Sequence, residues 1–397
     1  MKKKYVISIN NIFFSLTLIM PVIYSLSNLL NLNISNRLVL IYTLVSILYM
    51  HKNFLTNSKV KKLLAFDIIL LFYLIIRGFG IVFEYDFYCY VLYATFFLLF
   101  TDKPILNRFK KYYINKQGFF YFRVILIYLI VVLSVFTSNG LFVSFGSSIP
   151  VLYGPFQIPH ILGYLMITLY CEAAVYNYLN SSKILFLIKV ICVVACIWTA
   201  ARSAVLGIII VLLYDYIRIK KTSKKIILFL VCSATFCSIL LINSELILKN
   251  PLIQKTISAA KAGNITNGRE LFIDIAQSTF NNSMNVFEQS FGIGLDKVRN
   301  IMYSRIGLKI HVHNDYYNAL LGYGCLGLIL FLVLQLNVKR VCKNKLGFLF
   351  CTLFIFVLAY FNGFAMYSLI VINCQILFMF FEDLSTSNEK NLNLQDV

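Results

Sequence analysis

The sequence predicts an all-α, polytopic integral membrane protein of about twelve transmembrane helices, with a large helical loop between the ninth and the tenth. Three observations predict it. Of its 397 residues 60% are hydrophobic and 13% charged, with a mean hydropathy of +0.80; a soluble domain has no interior for that much apolar surface, whereas a bilayer accepts it directly. The apolar residues fall in runs of roughly 16 to 25, the length at which a helix crosses a bilayer. Lys and Arg gather in short clusters between the runs.

In chain order the expected spans are 8–30, 37–50, 63–83, 86–101, 120–137, 156–179, 184–200, 203–219, 226–243, 313–337, 345–360 and 362–382. The first follows Met1-Lys2-Lys3-Lys4, but it is long for a signal-peptide core and lacks a small-residue cleavage site, so it reads as a retained span. The turns near Ala201 and Phe361 are very short. Residues 1–243 carry spans one to nine, 244–312 the large loop, and 313–397 spans ten to twelve with the tail, all in one integrated membrane domain.

Charge sets the orientation. With the amino terminus in the cytoplasm, about 23 of the 36 basic residues lie in inner loops and tails, including Lys59 to Lys62, Lys103 to Lys116 and Arg218 to Lys225. The short outer loops keep about two, Arg37 and Arg202, so both termini are expected inside. The net charge of +20 is thereby explained by topology; no basic groove with stacking aromatics points to nucleic acid. The loop at 244–312 is basic too, and Asn267-Gly268 ahead of Arg269–Phe280 predicts an amphipathic helix. None of the ten cysteines lies in that loop and no CxxC pair occurs, so they read as small apolar packing residues.

The densest polar cluster is His311-Val312-His313-Asn314-Asp315, where the loop re-enters the membrane. A helix starting near Asn314 turns free N–H groups outward, which favours neutral imidazole or a bound anion, and neutral His can take a proton from a hydroxyl. The structural alternative is that Asn314 and Asp315 only cap the helix. Arg202 sits in an outer turn with few partners in reach, which suits a phosphate or a lipid headgroup. Arg77, inside the third span, costs about 2.5–3.5 kcal/mol to insert and calls for a partner, with Glu84 and Asp86 the nearest acids. Glu84-Tyr85-Asp86 is a weak divalent-metal pattern. Glu172, Lys189 and Asp215 form either ion pairs or a path across the membrane, and Gly292-Ile293-Gly294 reads as a turn.

These residues resemble the bacterial O-antigen polymerase and O-antigen ligase superfamily of Wzy/WaaL type. His313-Asn314, nine residues, then Gly324-Cys325-Leu326-Gly327 resembles its H-N-x9-G-x-x-G signature; Arg202 with Leu206 resembles its R-x3-L element. Gly268-Arg269 with Gly292-x-Gly294 resembles its loop segment, and Tyr153 to His160 resembles a G-x-F-x-x-P-N element with His160 in place of Asn. The resemblance implies a GT-C-like, inverting glycosyltransferase of the bacterial cytoplasmic (inner) membrane, working at the periplasmic face on an undecaprenyl-pyrophosphate-linked glycan. It implies a polymerase of O-antigen or capsular repeats, or a ligase onto lipid A–core, with a chain-length regulator as a further partner. A flippase for the same lipid-linked sugars is the rival of another class. The implied roles are catalytic base for His313 with Asp315 in reserve, pyrophosphate binding for Arg202, Arg269 and Arg77, and substrate contact for His311, Asn314 and His160. Neither metal nor cofactor is expected.

Overall fold

The computed structural model describes residues 8–32, 34–56, 59–78, 85–137, 140–143, 150–218, 253–254, 257, 269–342, 344–363, 365, 367 and 374–382. Helix α1 (Ile9–Leu29) starts where Ser8 accepts a hydrogen bond from the Asn11 amide, and is followed by α2 (Ser35–Thr56) and α3 (Val60–Arg77). Helix α4 (Tyr85–Phe100) meets α5 (Lys103–Ile114) at an 87° bend, and α6 (Gln117–Phe136) follows. A two-stranded antiparallel hairpin, β1 (Leu141–Phe142) and β2 (Val151–Leu152), leads into α7 (Pro159–Leu179), whose first residue is the proline that a helix start tolerates. Then come α8 (Lys183–Trp198) and α9 (Arg202–Arg218), joined by a three-residue turn in which Ala200 takes φ +48°.

From Arg269 the chain forms α10 (Arg269–Ser278), a π-helical turn at Thr279–Ser283, α11 (Val286–Phe291) and α12 (Leu295–Ile306). It then enters α13 (Asp315–Leu336), followed by α14 (Lys345–Phe361) and α15 (Cys374–Phe381). The amphipathic helix expected at Arg269–Phe280 is therefore present, ending two residues early in the π turn.

Among the described residues, Ile9–Leu29, Asn36–Thr56, Gln117–Phe136 and Asp315–Arg340 are long and apolar enough to cross a membrane, with a fifth if the bent α4–α5 pair counts as one. Helices also stand at the other expected segments, but they are shorter or more polar. For instance α8 has 16 residues, or about 24 Å of helix, and α3 carries Lys61, Lys62, Asp67 and Arg77. The span expected at 226–243 lies outside the described residues, and the last is helical over Cys374–Phe381.

The packing is inside-out relative to a soluble bundle. Helix α2 buries Tyr42, Thr43, Ser46, Tyr49 and Asn53 while exposing Ile41, Leu44 and Leu48. Lipid-facing surfaces have this polarity, because hydrocarbon solvates Leu and leaves hydroxyls to find partners inside: Tyr42 bonds Thr17 at 2.5 Å. Aromatic rings fill the contacts between helices, as where Phe13 stacks on Tyr49 at 3.9 Å.

Several charged residues buried in the bundle form ion pairs. Arg123 and Glu172, each 1% exposed, form an ion pair that Tyr113 joins through a 2.8 Å hydrogen bond to Glu172. Lys189 pairs with Asp215, which also accepts from Tyr170. Lys189 and Asp215 thus pair with each other, as one reading of them expected, whereas Glu172 pairs with Arg123. At the end carrying the basic loops, Lys59 pairs with Asp102 and Lys110 with Glu382.

A backbone contact joins the loop to the bundle. Gly292 (φ +80°) and Gly294 (φ +85°) form the expected turn, and it docks on a break in α13 at Gly324 (φ +73°, ψ −173°). The Ile293 amide donates to the Leu321 carbonyl at 2.8 Å and the Gly294 amide to the Gly322 carbonyl at 3.0 Å. A Cβ on Gly292 would meet the Gly322 carbonyl, and one on Gly324 the Ser290 carbonyl, both well under 3.0 Å. Only backbones without side chains approach this closely.

Candidate functional site

The site lies where α13, the loop helices, α7, α9 and the turn after α14 meet. Asn314 caps α13, its side chain accepting from the Tyr316 amide at 3.0 Å and the Tyr317 amide at 3.2 Å. Asp315 is fully buried; it accepts from the Ala365 amide at 2.7 Å and from the Tyr90 hydroxyl at 3.4 Å. Both residues hold the backbone, and neither lines the large cavity described below. The preceding residues are shaped by that anchoring: the Val312 amide donates to Asn318 at 3.2 Å, and His313 adopts φ +56°, which an L-residue takes up only where its surroundings impose it.

His313 packs beside Phe272 of α10 (ring centroids 5.8 Å apart) and hydrogen-bonds the Asn362 backbone. Burial, then the Arg269 and His311 charges, push its imidazole down to about 4, so the ring is neutral near pH 7. Donating one N–H to a backbone carbonyl leaves a neutral ring its second nitrogen as an acceptor.

Arg269, the first residue of α10, donates to the Asn362 side chain at 3.3 Å. Burial lowers its pKa; the groups whose charge acts on it are Tyr164, Tyr367 and Arg202, none of them a carboxylate. Arg202, first residue of α9, is thus close enough to be felt by Arg269, and two cations held near each other at partial burial favour an anion between them. Charge coupling links Arg269 to Arg202 and, separately, His313 to Arg269; neither arginine lines the cavity on which His313 lies.

Asn362 joins them, and the sequence reading passed over it. Its carbonyl oxygen accepts from Arg269, and its amide nitrogen donates to Tyr164 at 3.3 Å and Tyr367 at 3.1 Å. Tyr164 bonds Ser203 at 2.9 Å, and Ser203 lies 3.5 Å from Nδ1 of His160, which places His160 at the far end of this network. The available signal was Asn362-Gly363, a polar, turn-forming pair interrupting an apolar stretch.

A cavity of about 750 Å³ opens beside His313. It is lined by His311, His313, Asn362 and Tyr367, by Asp86 and Arg299, and by Asn28, Asn31 and Asn36 in and beside the α1–α2 turn. His311 Nε2 lies 3.5 Å from Asp86, which also pairs with Arg299 of α12 at 3.3 Å. Asp86 thereby ties the loop to α4. Arg77 ends α3, but its side chain lies outside the described residues, as does Glu84. Among the described residues no group of three His, Cys, Asp or Glu is placed to hold a metal ion.

The family model described as O-antigen ligase matches residues 187–332, a stretch that takes in Arg202, Arg269, His311 and His313. The match supports the Wzy/WaaL-type superfamily read from the motifs. No curated protein matches the chain.

Proposed function

We propose that this is a membrane glycosyltransferase that moves a glycan from a lipid pyrophosphate to a sugar hydroxyl, the polymerase reaction of O-antigen or capsular assembly. The family match supports a membrane glycan-processing enzyme of polymerase or ligase type. The observation that supports the transferase reading is a neutral His313 on the wall of a large cavity, charge-coupled to Arg269, which is in turn coupled to Arg202.

The chemistry follows from those groups. As the acceptor oxygen attacks the anomeric carbon, the bond from that carbon to the pyrophosphate oxygen breaks, and negative charge grows on the leaving group. Arg269 and Arg202 stabilise that charge, a contribution of about 10²–10³ in rate per donor at such sites. His313 accepts the proton of the attacking hydroxyl, worth about 10²–10⁴. Attack opposite the leaving group inverts the anomeric centre. Asp315 and Asn314 serve this by fixing the turn that presents His313, and His160 by buttressing Tyr164 through Ser203. The site would lie at the outer face, with twelve spans, both termini in the cytoplasm and the chain in the bacterial cytoplasmic membrane.

The second reading is a ligase that transfers the glycan to lipid A–core, favoured by the description of the matching family. Purified protein in liposomes, given undecaprenyl-pyrophosphate-linked repeat units, should lengthen them; Arg202→Ala, Arg269→Ala and His313→Ala should each abolish extension while inserting normally. Undiminished extension by all three would refute the assignment. A deletion strain separates the two outcomes: single repeats on the core mean a lost polymerase, and polymer on the carrier lipid a lost ligase.

A further inference from the structure

Beside the cavity at His313 lies a second chamber of about 520 Å³, and Asn28, Asn31, Pro155 and Gln157 line both. Each is within the ~300–1,000 Å³ of ordinary ligand sites, so together they hold an extended ligand rather than one small group. The second chamber is formed by the α1–α2 turn and the β1–β2 hairpin, and the hairpin is well braced. The Tyr153 amide donates to the Gly140 carbonyl at 2.7 Å, and the Gly140 amide to the Ser134 carbonyl at 2.8 Å.

The two linings differ in kind. The first chamber carries Asp86, Arg299, Lys309 and two histidines. Among the described residues the second is lined by no charged side chain, in a chain of net charge +20; its polar groups there are the carboxamides Asn28, Asn31 and Gln157, with Ser134 and Tyr153. Asn28 spends its amide N–H on the Tyr24 carbonyl at 2.8 Å, which leaves its oxygen as an acceptor. Aromatic rings complete the surface: Phe142 and Tyr153 lie 5.6 Å apart, Phe142 is 61% exposed, and Phe156 stacks on Tyr24 at 5.8 Å.

A phosphate or lipid headgroup would need cations here. Carboxamides offer both donors and acceptors without charge, matching hydroxyls, and exposed rings match the C–H faces of a pyranose. We propose that the second chamber is a subsite for neutral sugar residues of the glycan, lying beyond the reacting centre and selecting which oligosaccharide enters. The proposal rests on the transferase reading for its substrate, but sugar binding itself does not depend on catalysis.

Trp198, the single tryptophan of the chain, provides a reporter: its indole donates to the Pro150 carbonyl at 3.2 Å, next to β2. The full-length protein in detergent is titrated with the neutral repeat-unit oligosaccharide released from the host's carrier lipid, free of phosphate, following Trp198 emission and equilibrium dialysis together. Saturable binding is expected. The Asn31→Ala/Gln157→Ala double variant should weaken it by about tenfold, the loss of one or two hydrogen bonds, and Tyr153→Leu comparably. His313→Ala should leave it unchanged. In the transfer assay the double variant should raise one KM by about tenfold with kcat within about threefold. Whether the lipid-linked donor or the acceptor shows that change identifies whose glycan occupies the chamber. No binding by either method, or a double variant with binding and both KM values within about twofold of the parent, overturns the proposal. Intact sugar binding in a protein that transfers nothing would instead refute the transferase reading alone.

Discussion

Replacing Gly292 with alanine tests whether the loop's position depends on a backbone contact that no side chain can enter. Gly292 has φ +80° and ψ 174°, a region that L-residues occupy at a cost of about 1–3 kcal/mol. Its added Cβ would also strike three backbone atoms of α13, the Gly322 carbonyl carbon and oxygen and the Tyr323 nitrogen, none of which can rotate away. Overpacking of this kind adds about 1–3 kcal/mol. The sum, about 4 kcal/mol, exceeds what the amide bonds of Ile293 and Gly294 to α13 contribute, at about 1 kcal/mol each, so this contact should open while the Arg299–Asp86 pair and the Arg269–Asn362 bond still hold the loop elsewhere. Gly307 is the control: it has φ +71°, but a Cβ there meets nothing within 4 Å, so Gly307→Ala carries only the conformational cost of about 1–2 kcal/mol. Hydrogen exchange on the purified protein reads the difference directly. In Gly292→Ala the Ile293 and Gly294 amides should lose about 10³ of their protection and glycan transfer should fall with it, whereas Gly307→Ala should keep both. If Gly292→Ala protects those amides within about threefold of the parent, the docking argument is wrong.

Two further outcomes follow from the site and the bundle. Because His313 is held down at about 4 from its ordinary 6.5, the acid limb of kcat/KM should fall near pH 4; a limb near 6.5 would assign the base to another group. The same depression makes the folded protein bind fewer protons than the unfolded chain between those values, so His313's contribution to stability is complete above about 6.5 and is lost as pH falls toward 4. Glu172→Gln strands the buried Arg123 and should cost about 3–5 kcal/mol, read as a lowered melting temperature in detergent, while Arg123→Met/Glu172→Leu should recover most of it. A double variant no more stable than Glu172→Gln would show that the pair does more than neutralise itself.

Much of the architecture was legible because a bilayer filters sequences by simple rules. Apolar runs placed the helices, and Asn314 marked a start that the structure uses, since its side chain satisfies two exposed N–H groups locally. Composition gave no sign of the 87° bend between α4 and α5, nor of how far α2 runs past the expected 37–50 to span Ser35–Thr56. Both depend on neighbours: α2 is held along its length by burying Tyr42, Tyr49 and Phe54 against other helices.

For the site, the sequence by itself marked the residues whose chemistry calls for a partner, Arg202, Arg269, His311 and His313, and read Gly292-Ile293-Gly294 as a turn. Tertiary structure decided what each is near. It turned Asp315 and Asn314 inward as anchors, gave Asp86 to Arg299 and His311, and made Asn362 the joint between Arg269, Tyr164 and Tyr367. It also revealed that the Gly292–Gly294 turn and the break at Gly324, separate short motifs along the chain, are two halves of one contact. The physical reason is that burial cost is a property of a residue and its local run, which a sequence states. Hydrogen bonding, charge coupling and close backbone approach are properties of pairs far apart in the chain, and only the folded packing brings those pairs together.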